Sequence, residues 1–443
     1  MKNLFNSLVS TFIIQVVTVV GGVLSARVLL PEGKGALTAI LLWPSLLAAI
    51  GNLGLIEAAT FFASDARNGS SKIVASGLIL TGVLALPLVV AGYLIMPWVL
   101  AHYNSDVIYA SRLYLVYIPI NFATLTMAAI LLGRLAFFEY NVIRTLVHVC
   151  TVVGMLALYA LHGASAGSFA MASLLANVIT LAAAAWAVWH RGWLQWQFDW
   201  ATAQRLLRYG LKVHLGSLVS LATMRLDQIL MSLFLKPTAL GLYVVAITVA
   251  AGASIIASTI GMVAFPHLAS LASEQAKSEV CGRFFRLTIL SSLACAVVLW
   301  VMDPWILAHF FGRAYLPVAG TTRILIAAAV LQGAIAVITA FFKAFNRPLM
   351  SSAAQAINLM VAALGLWALL PRYEYLGAAW ASLLSASATA VFMICALRRQ
   401  TGIAWAGLLW PTSGDWESFR AVCHKFMMVL GVGRPTNAEV GPE

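Results

Sequence analysis

Long apolar runs constrain this chain more than any other feature of its sequence. Of its 443 residues, 62% are hydrophobic and only 9% are charged, and the mean hydropathy is +0.93. A soluble protein carries about 25% charged residues, so most of this chain cannot face water. Runs of roughly 20 apolar residues cross a bilayer, and they must be helical because lipid satisfies no backbone hydrogen bonds. The sequence therefore predicts an all-α, polytopic membrane protein.

The apolar runs predict twelve transmembrane helices in two sets of six. The first set is 4–30, 36–63, 72–101, 109–133, 140–161 and 165–190, and the second is 206–233, 237–265, 283–311, 318–343, 348–370 and 375–397. We expect an N-lobe at 1–190, a cytoplasmic interfacial linker at 191–205, a C-lobe at 206–397 and a cytoplasmic tail at 398–443. The tail shows an amphipathic helical pattern followed by a polar end that we expect to be disordered.

A Pro-xxx-Gly motif of the first half of the chain recurs 206 residues later. Pro31 and Gly35 reappear as Pro237 and Gly241, each pair between two apolar runs. Because six is an even number of spans, both copies insert with the same orientation, as in transporters built from parallel repeats. The repeat therefore predicts a transporter with two similar lobes.

Basic residues indicate how the chain is oriented. Most of its 27 Lys and Arg residues lie on the side that holds both termini, which the positive-inside rule makes cytoplasmic. They are scattered singly and form no basic stripe, so the net charge of +12 does not indicate nucleic-acid binding. We expect a multi-pass protein of the cell inner membrane.

No pattern of enzyme chemistry stands out. Gly33-Lys34-Gly35 lacks the spacing of a phosphate-binding loop, and the eight histidines form no metal-ligand motif. The five cysteines show no paired spacing. We expect no enzymatic activity, cofactor or metal.

Charged residues inside the spans are the strongest functional candidates, because each is costly in lipid. Arg225 and Asp227 lie in span 7 and point about 200° apart on a helix, so they do not simply pair. Asp227 shares a small, polar face with Ser220 and Thr223. Lining a hydrated cavity and fixing helix packing remain open for both residues.

Two further charges lie in the first half. Arg27 is near the outer end of span 1, where it either lines a cavity or reaches the membrane interface. Glu57 lies in span 2, where two roles remain open: coupling transport to an ion, or pairing with basic residues at the cytoplasmic end of the span.

Several motifs together resemble polysaccharide flippases of the multidrug/oligosaccharidyl-lipid/polysaccharide (MOP) superfamily. They are Ala26–Gly35, Gly133–Asn141, Arg225–Tyr243, Lys343–Arg347 and Tyr375–Ala381, and the likeness covers nearly all of residues 1–397. It implies two six-helix lobes around a central cavity and transport of polyprenyl-diphosphate-linked oligosaccharides by alternating access.

The resemblance also implies roles for individual residues. Arg225, Arg27 and Lys34 would contact the diphosphate through charge-assisted hydrogen bonds, and Asp227 or Glu57 would couple transport to a proton or sodium gradient. The implied partners are the lipid-linked glycan, membrane lipids and other polysaccharide-assembly proteins.

Two alternatives remain at this point. One is a multidrug or toxin extruder of the same superfamily, working by cation antiport, for which an acidic, aromatic-lined cavity would be typical. The other is a membrane enzyme of polysaccharide assembly, although the short outer loops disfavour it.

Overall fold

The computed structural model describes residues 2–65, 69–271 and 273–402, and these residues are almost entirely helical, without a β-strand. The α-helices are α1 (Lys2–Gly51), α2 (Leu55–Ser64), α3 (Ser70–Val99), α4 (Ser105–Tyr114), α5 (Tyr117–Gly133), α6 (Phe137–Ala160), α7 (Ala166–His190), α8 (Trp200–Phe234), α9 (Pro237–Ser270), α10 (Glu274–Ile306), α11 (Ala319–Ala344) and α12 (Pro348–Thr401). A π-helix (Leu307–Phe311) and a 3₁₀ helix (Arg313–Val318) join α10 to α11. The predicted tail beyond residue 402 lies outside the described residues.

The helices follow the predicted spans closely. Nine stretches in the described part of the chain are long and apolar enough to cross a membrane. Two of these stretches, in α1 and α12, continue through a predicted turn, and α8 contains the seventh predicted span. The all-α, polytopic membrane architecture is confirmed, whereas its division into two six-helix lobes stays a prediction.

Two predicted turns are single-residue kinks. Leu30, between spans 1 and 2, has φ 57° and ψ 176° inside α1. The next residue is Pro31, whose ring excludes the helical conformation from the residue before it. Glu374, between spans 11 and 12, has φ 47° and ψ −128° inside α12. Each pair of spans is therefore joined with no extended loop.

The second predicted span, 36–63, is interrupted where the sequence predicts a continuous helix. α1 ends at Gly51 and α2 begins at Leu55, and between them Leu53 (φ 49°) and Gly54 (φ 70°) adopt left-handed conformations. Left-handed residues end an α-helix. Broken helices at membrane depth are tolerated where protein or a water-filled cavity covers the exposed backbone groups.

The chain forms two compact units, each with its own hydrophobic core. The first comprises Met1–Thr248, Pro304–Thr322 and Ala362–Ala381, and one of its cores joins residues of α2, α3, α5, α6, α7 and α8. The second comprises Val249–Asp303, Arg323–Val361 and Ser382–Glu443, with Phe285, Phe341 and Met393 in its core. The predicted lobes at 1–190 and 206–397 stay a prediction.

Candidate translocation site

The two Pro-xxx-Gly turns of the repeat pack directly against each other. A Cβ atom on Gly35 would lie 1.8 Å from the carbonyl oxygen of Pro237, and one on Gly241 would lie 1.9 Å from the carbonyl oxygen of Pro31. Only glycine permits backbones to approach so closely. The contact is reciprocal, so the two turns pack symmetrically against each other.

The end of the first predicted span is attached to the segment between α10 and α11. The Arg27 guanidinium donates a hydrogen bond to the carbonyl oxygen of His309 in the π-helix. The hydroxyl of the buried Tyr315 donates to the carbonyl oxygen of Ala26 at 3.1 Å. Arg27 itself is exposed, and its guanidinium bonds to a neutral oxygen rather than to a carboxylate.

Lys34 lies on the far side of the Leu30 kink and turns back towards the first span. Its Nζ donates a hydrogen bond to Ser25 Oγ at 2.7 Å. Ser25 is buried, and its hydroxyl donates to the carbonyl oxygen of Gly21 at 2.7 Å. The Lys34 ammonium is thus held half-buried at the kink, again by a neutral oxygen.

Arg225 and Asp227 are linked through Gln228 rather than to each other. Arg225 Nη1 donates to Gln228 Oε1 at 3.1 Å, and the backbone N–H of Gln228 donates to Asp227 Oδ1 at 2.8 Å. The other carboxylate oxygen, Asp227 Oδ2, accepts a 2.7 Å bond from the hydroxyl of Tyr243 on α9. Gln228 and Tyr243 are buried, Asp227 is half-buried and Arg225 is exposed.

Glu57 lies in the first turn of α2, beside the helix break, and lines a cavity of about 320 Å³. The polar lining of this cavity comes from α1, the helix break, α2, α5 and α8, and consists of Ser45, Asn52, Glu57, Tyr117, Asn121 and His214. Within the described part of the chain, the buried Oδ1 of Asn52 has no hydrogen-bond partner. A cavity that combines these polar groups with apolar side chains suits water, a cation or a hydroxyl-bearing ligand.

The five predicted residues therefore occupy three settings: the end of the first span, the α8–α9 pair and the cavity at the α1–α2 break. Sequence reasoning missed Tyr243 as the partner of Asp227, because a contact 16 residues away across a turn leaves no helical spacing to detect. It also missed Asp303, which is fully buried in α10 with its Oδ2 3.8 Å from Arg323 Nε. The available signal was a lone carboxylate inside an apolar run.

Long apolar helices that could each cross a membrane define a multi-pass membrane protein. The profile of the polysaccharide biosynthesis protein family matches residues 1–272, and the chain belongs to this family. A comparison with curated protein sequences gives no match.

The fold is similar to that of solved flippase and transporter structures. The lipid II flippase MurJ, in an inward closed conformation, aligns with a TM-score of 0.67 and 13% identity, covering 97% of this chain and 93% of that one. An inward-facing multidrug resistance MATE family transporter of the MOP superfamily aligns with a TM-score of 0.68 and 15% identity, covering 90% and 99%. A MOP superfamily transporter from Pyrococcus furiosus aligns with a TM-score of 0.54 and 13% identity, covering 89% of this chain and 94% of that one. These neighbours are a flippase and two transporters, and the resemblance to the superfamily is confirmed.

Proposed function

We propose that this protein is a flippase that moves polyprenyl-diphosphate-linked oligosaccharides across the inner membrane by alternating access. The observation that carries the proposal is membership of the polysaccharide biosynthesis family combined with the fold shared with a lipid II flippase. Both termini would be cytoplasmic, and other polysaccharide-assembly proteins would supply and use the substrate.

The charges near the repeat support an anionic cargo. Arg27 and Lys34 each hydrogen-bond to a neutral oxygen, which leaves their positive charge available for an anion. Arg225 also hydrogen-bonds to a neutral oxygen, and its charge is shared with the nearby Asp227 carboxylate. A diphosphate offers several strong acceptors for such donors. Its passage through bare hydrocarbon would be prohibitive, because an isolated ion loses its hydration there.

Two carboxylates are the proposed coupling groups. Asp227 is joined to a cation through Gln228 and to α9 through Tyr243, so protonating it would weaken contacts on both sides. Glu57 is exposed to the polar cavity at the helix break. A proton or a sodium ion on either group would change the charge of a site at membrane depth.

Deleting the gene in its host and measuring surface polysaccharide and lipid-linked precursors tests the proposal. We expect polysaccharide to be lost and the lipid-linked oligosaccharide to accumulate on the cytoplasmic leaflet. The Arg225→Ala variant should lower export by about ten- to a hundredfold, since a hydrogen bond to a charged group contributes about 1.5–3 kcal/mol. Arg372→Ala, which removes another exposed arginine, is the matched control.

The competing function is extrusion of organic cations, which the likeness to a multidrug transporter favours. Normal polysaccharide together with increased sensitivity of the deletion strain to cationic dyes would establish that function instead. Unchanged export in Arg225→Ala at normal protein levels would remove this residue from the proposed site.

A further inference from the structure

An aromatic segment runs from the end of α7 through the linker to the start of α8. Trp186, Trp189, Trp196, Phe198 and Trp200 expose 61, 62, 77, 48 and 65% of their surfaces. Tryptophan is enriched at the headgroup level of membrane proteins, where its ring is in apolar surroundings and its N–H is hydrated. These side chains place the linker at a membrane interface.

The linker is attached to α3 by hydrogen bonds between Asp199 and Ser76. The backbone N–H of Asp199 donates to Ser76 Oγ at 3.1 Å, and Ser76 Oγ lies 3.2 Å from the Asp199 carbonyl oxygen. Asp199 also caps α8, since its Oδ2 accepts bonds from the backbone N–H and the hydroxyl of Thr202 at 2.9 and 2.5 Å. α3, α8 and the linker therefore form one structure beside the aromatic segment.

A pocket of about 290 Å³ lies at this junction, and we call it the basic pocket. Its lining is Phe62, Gly69, Lys72, Ile73, Asp199, Thr202 and Arg205. Lys72 and Arg205 are exposed and come from two different helices, α3 and α8. Arg205 Nη2 donates to Thr202 Oγ1 at 3.1 Å, and its guanidinium lies 5.6 Å from the centre of the Phe62 ring.

The charges of this pocket favour an anion. Its two cations outnumber its single carboxylate, Asp199, which accepts two hydrogen bonds from Thr202 and attracts Lys72, so the pocket keeps a net positive charge. The pocket also lies at the N-terminus of the 30-residue helix α3, whose dipole adds partial positive charge. Basic pockets between transmembrane helices bind the phosphates of lipid headgroups when they lie at the interface.

We propose that the basic pocket binds the headgroup phosphate of an anionic phospholipid, with Lys72 and Arg205 as its charged donors. The lipid would join α3, α8 and the linker, and its acyl chains would remain in the bilayer beside the exposed tryptophans. A bilayer lipid fits better than a free phosphate because the aromatic segment holds the pocket at the headgroup level. This site is separate from the residues proposed for transport.

Native mass spectrometry of the full chain, with equimolar phosphatidylglycerol and phosphatidylcholine, tests the proposal. We expect at least fivefold preferential retention of phosphatidylglycerol, a preference that weakens at high salt because the interaction is ionic. The Lys72→Ala/Arg205→Ala variant should lose the preference, and Lys72→Arg should retain it. Arg208→Ala is the matched control, since Arg208 is also exposed on α8 but does not line the pocket.

Three outcomes would overturn the proposal. The first is equal retention of the two lipids by the unaltered protein. The second is an equal loss of preference in Arg208→Ala, which would indicate a diffuse charge effect. The third is displacement of phosphatidylglycerol by millimolar inorganic phosphate, which would identify a free-anion site. Polysaccharide export by the double variant is measured separately, so loss of lipid binding with normal export leaves the proposed transport function intact.

Discussion

At the scale of single residues, Asp227 shows how a carboxylate is tolerated in a transmembrane helix. Each of its oxygens accepts a hydrogen bond, one from the backbone N–H of Gln228 and one from the Tyr243 hydroxyl. These bonds replace part of the hydration that the carboxylate loses on burial. The second bond also joins α8 to α9, so the charge state of one residue affects the packing of two helices.

Replacing Tyr243 with Phe should destabilise the protein by about 1.5–3 kcal/mol, because a charged acceptor loses a hydrogen bond. Thermal unfolding in detergent measures the change. Tyr103→Phe is the control, since the buried Tyr103 hydroxyl has no hydrogen-bond partner within the described residues and its loss should be neutral or stabilising. Equal effects of the two substitutions would show that the Asp227 bond contributes little.

A buried carboxylate in the second unit, Asp303, leads to a comparable prediction. Asp303 is fully buried, whereas Arg323 is partly exposed and 3.8 Å away. Arg323→Ala should lower stability by up to about 3 kcal/mol, because it removes a charge partner from a buried carboxylate. Adding Asp303→Asn should restore part of the loss. Arg313→Ala, at an exposed arginine outside the pair, should leave the unfolding temperature unchanged, and a loss of the same size there would refute the argument.

At the scale of elements, hydropathy predicted where helices occur but not how they are interrupted. All twelve predicted spans fall on helices, because a bilayer allows little else. The break at Asn52–Gly54 was not predicted, since it lies within a long apolar run and glycines such as Gly51 and Gly54 are common in membrane helices. Its cause is tertiary, because Gly54 packs against the backbone of Gly210 on α8.

Gly54→Ala should therefore destabilise the protein by more than the strain of its left-handed backbone accounts for. A Cβ at Gly54 would lie 2.2 Å from the carbonyl oxygen of Gly210, and its φ is +70°. Gly192 has the same φ but nothing within 4 Å, so Gly192→Ala is the matched control. The left-handed conformation costs about 1–2 kcal/mol in both variants. Only Gly54→Ala should lose more stability than this in thermal unfolding. Equal losses in the two variants would mean that α8 shifts to make room for the added methyl group.

The Asp199 cap of α8 predicts how the stability of the protein depends on pH. Hydrogen bonds from Thr202 hold the pKa of the Asp199 carboxyl below its ordinary value of 3.8. The stability that the charged cap adds is present above pH 3.8 and is lost as the pH falls through the lower pKa of the folded state. Asp199→Asn keeps an acceptor for the cap and should flatten this acid-dependent loss, as followed by unfolding temperature against pH. An unchanged profile would assign the loss to other groups.

At the scale of the whole molecule, the internal repeat predicted that the turns Pro31–Gly35 and Pro237–Gly241 are equivalent. The structure adds that they touch, which no spacing in the sequence discloses. The division into lobes and the roles of Arg27, Lys34, Glu57, Arg225 and Asp227 stay predictions. Such roles depend on which surfaces bind the substrate during transport, and neither hydropathy nor the repeat carries that information.

The crossing of the two turns should be among the contacts most sensitive to added volume. A single methyl group in Gly241→Ala would meet the Pro31 carbonyl oxygen at 1.9 Å, so we expect a marked loss of folded protein or of transport. Gly82→Ala is the control, since Gly82 lies in α3 with nothing within 4 Å. It should stabilise the helix by roughly 0.5–1 kcal/mol. Normal folding and export in Gly241→Ala would show that the turns separate readily.

The reciprocity of this crossing has a mechanical consequence. Both carbonyl–glycine contacts lie between the same two turns, so moving one turn away from the other releases both at once. The two contacts should therefore form and break together, as a single cooperative step.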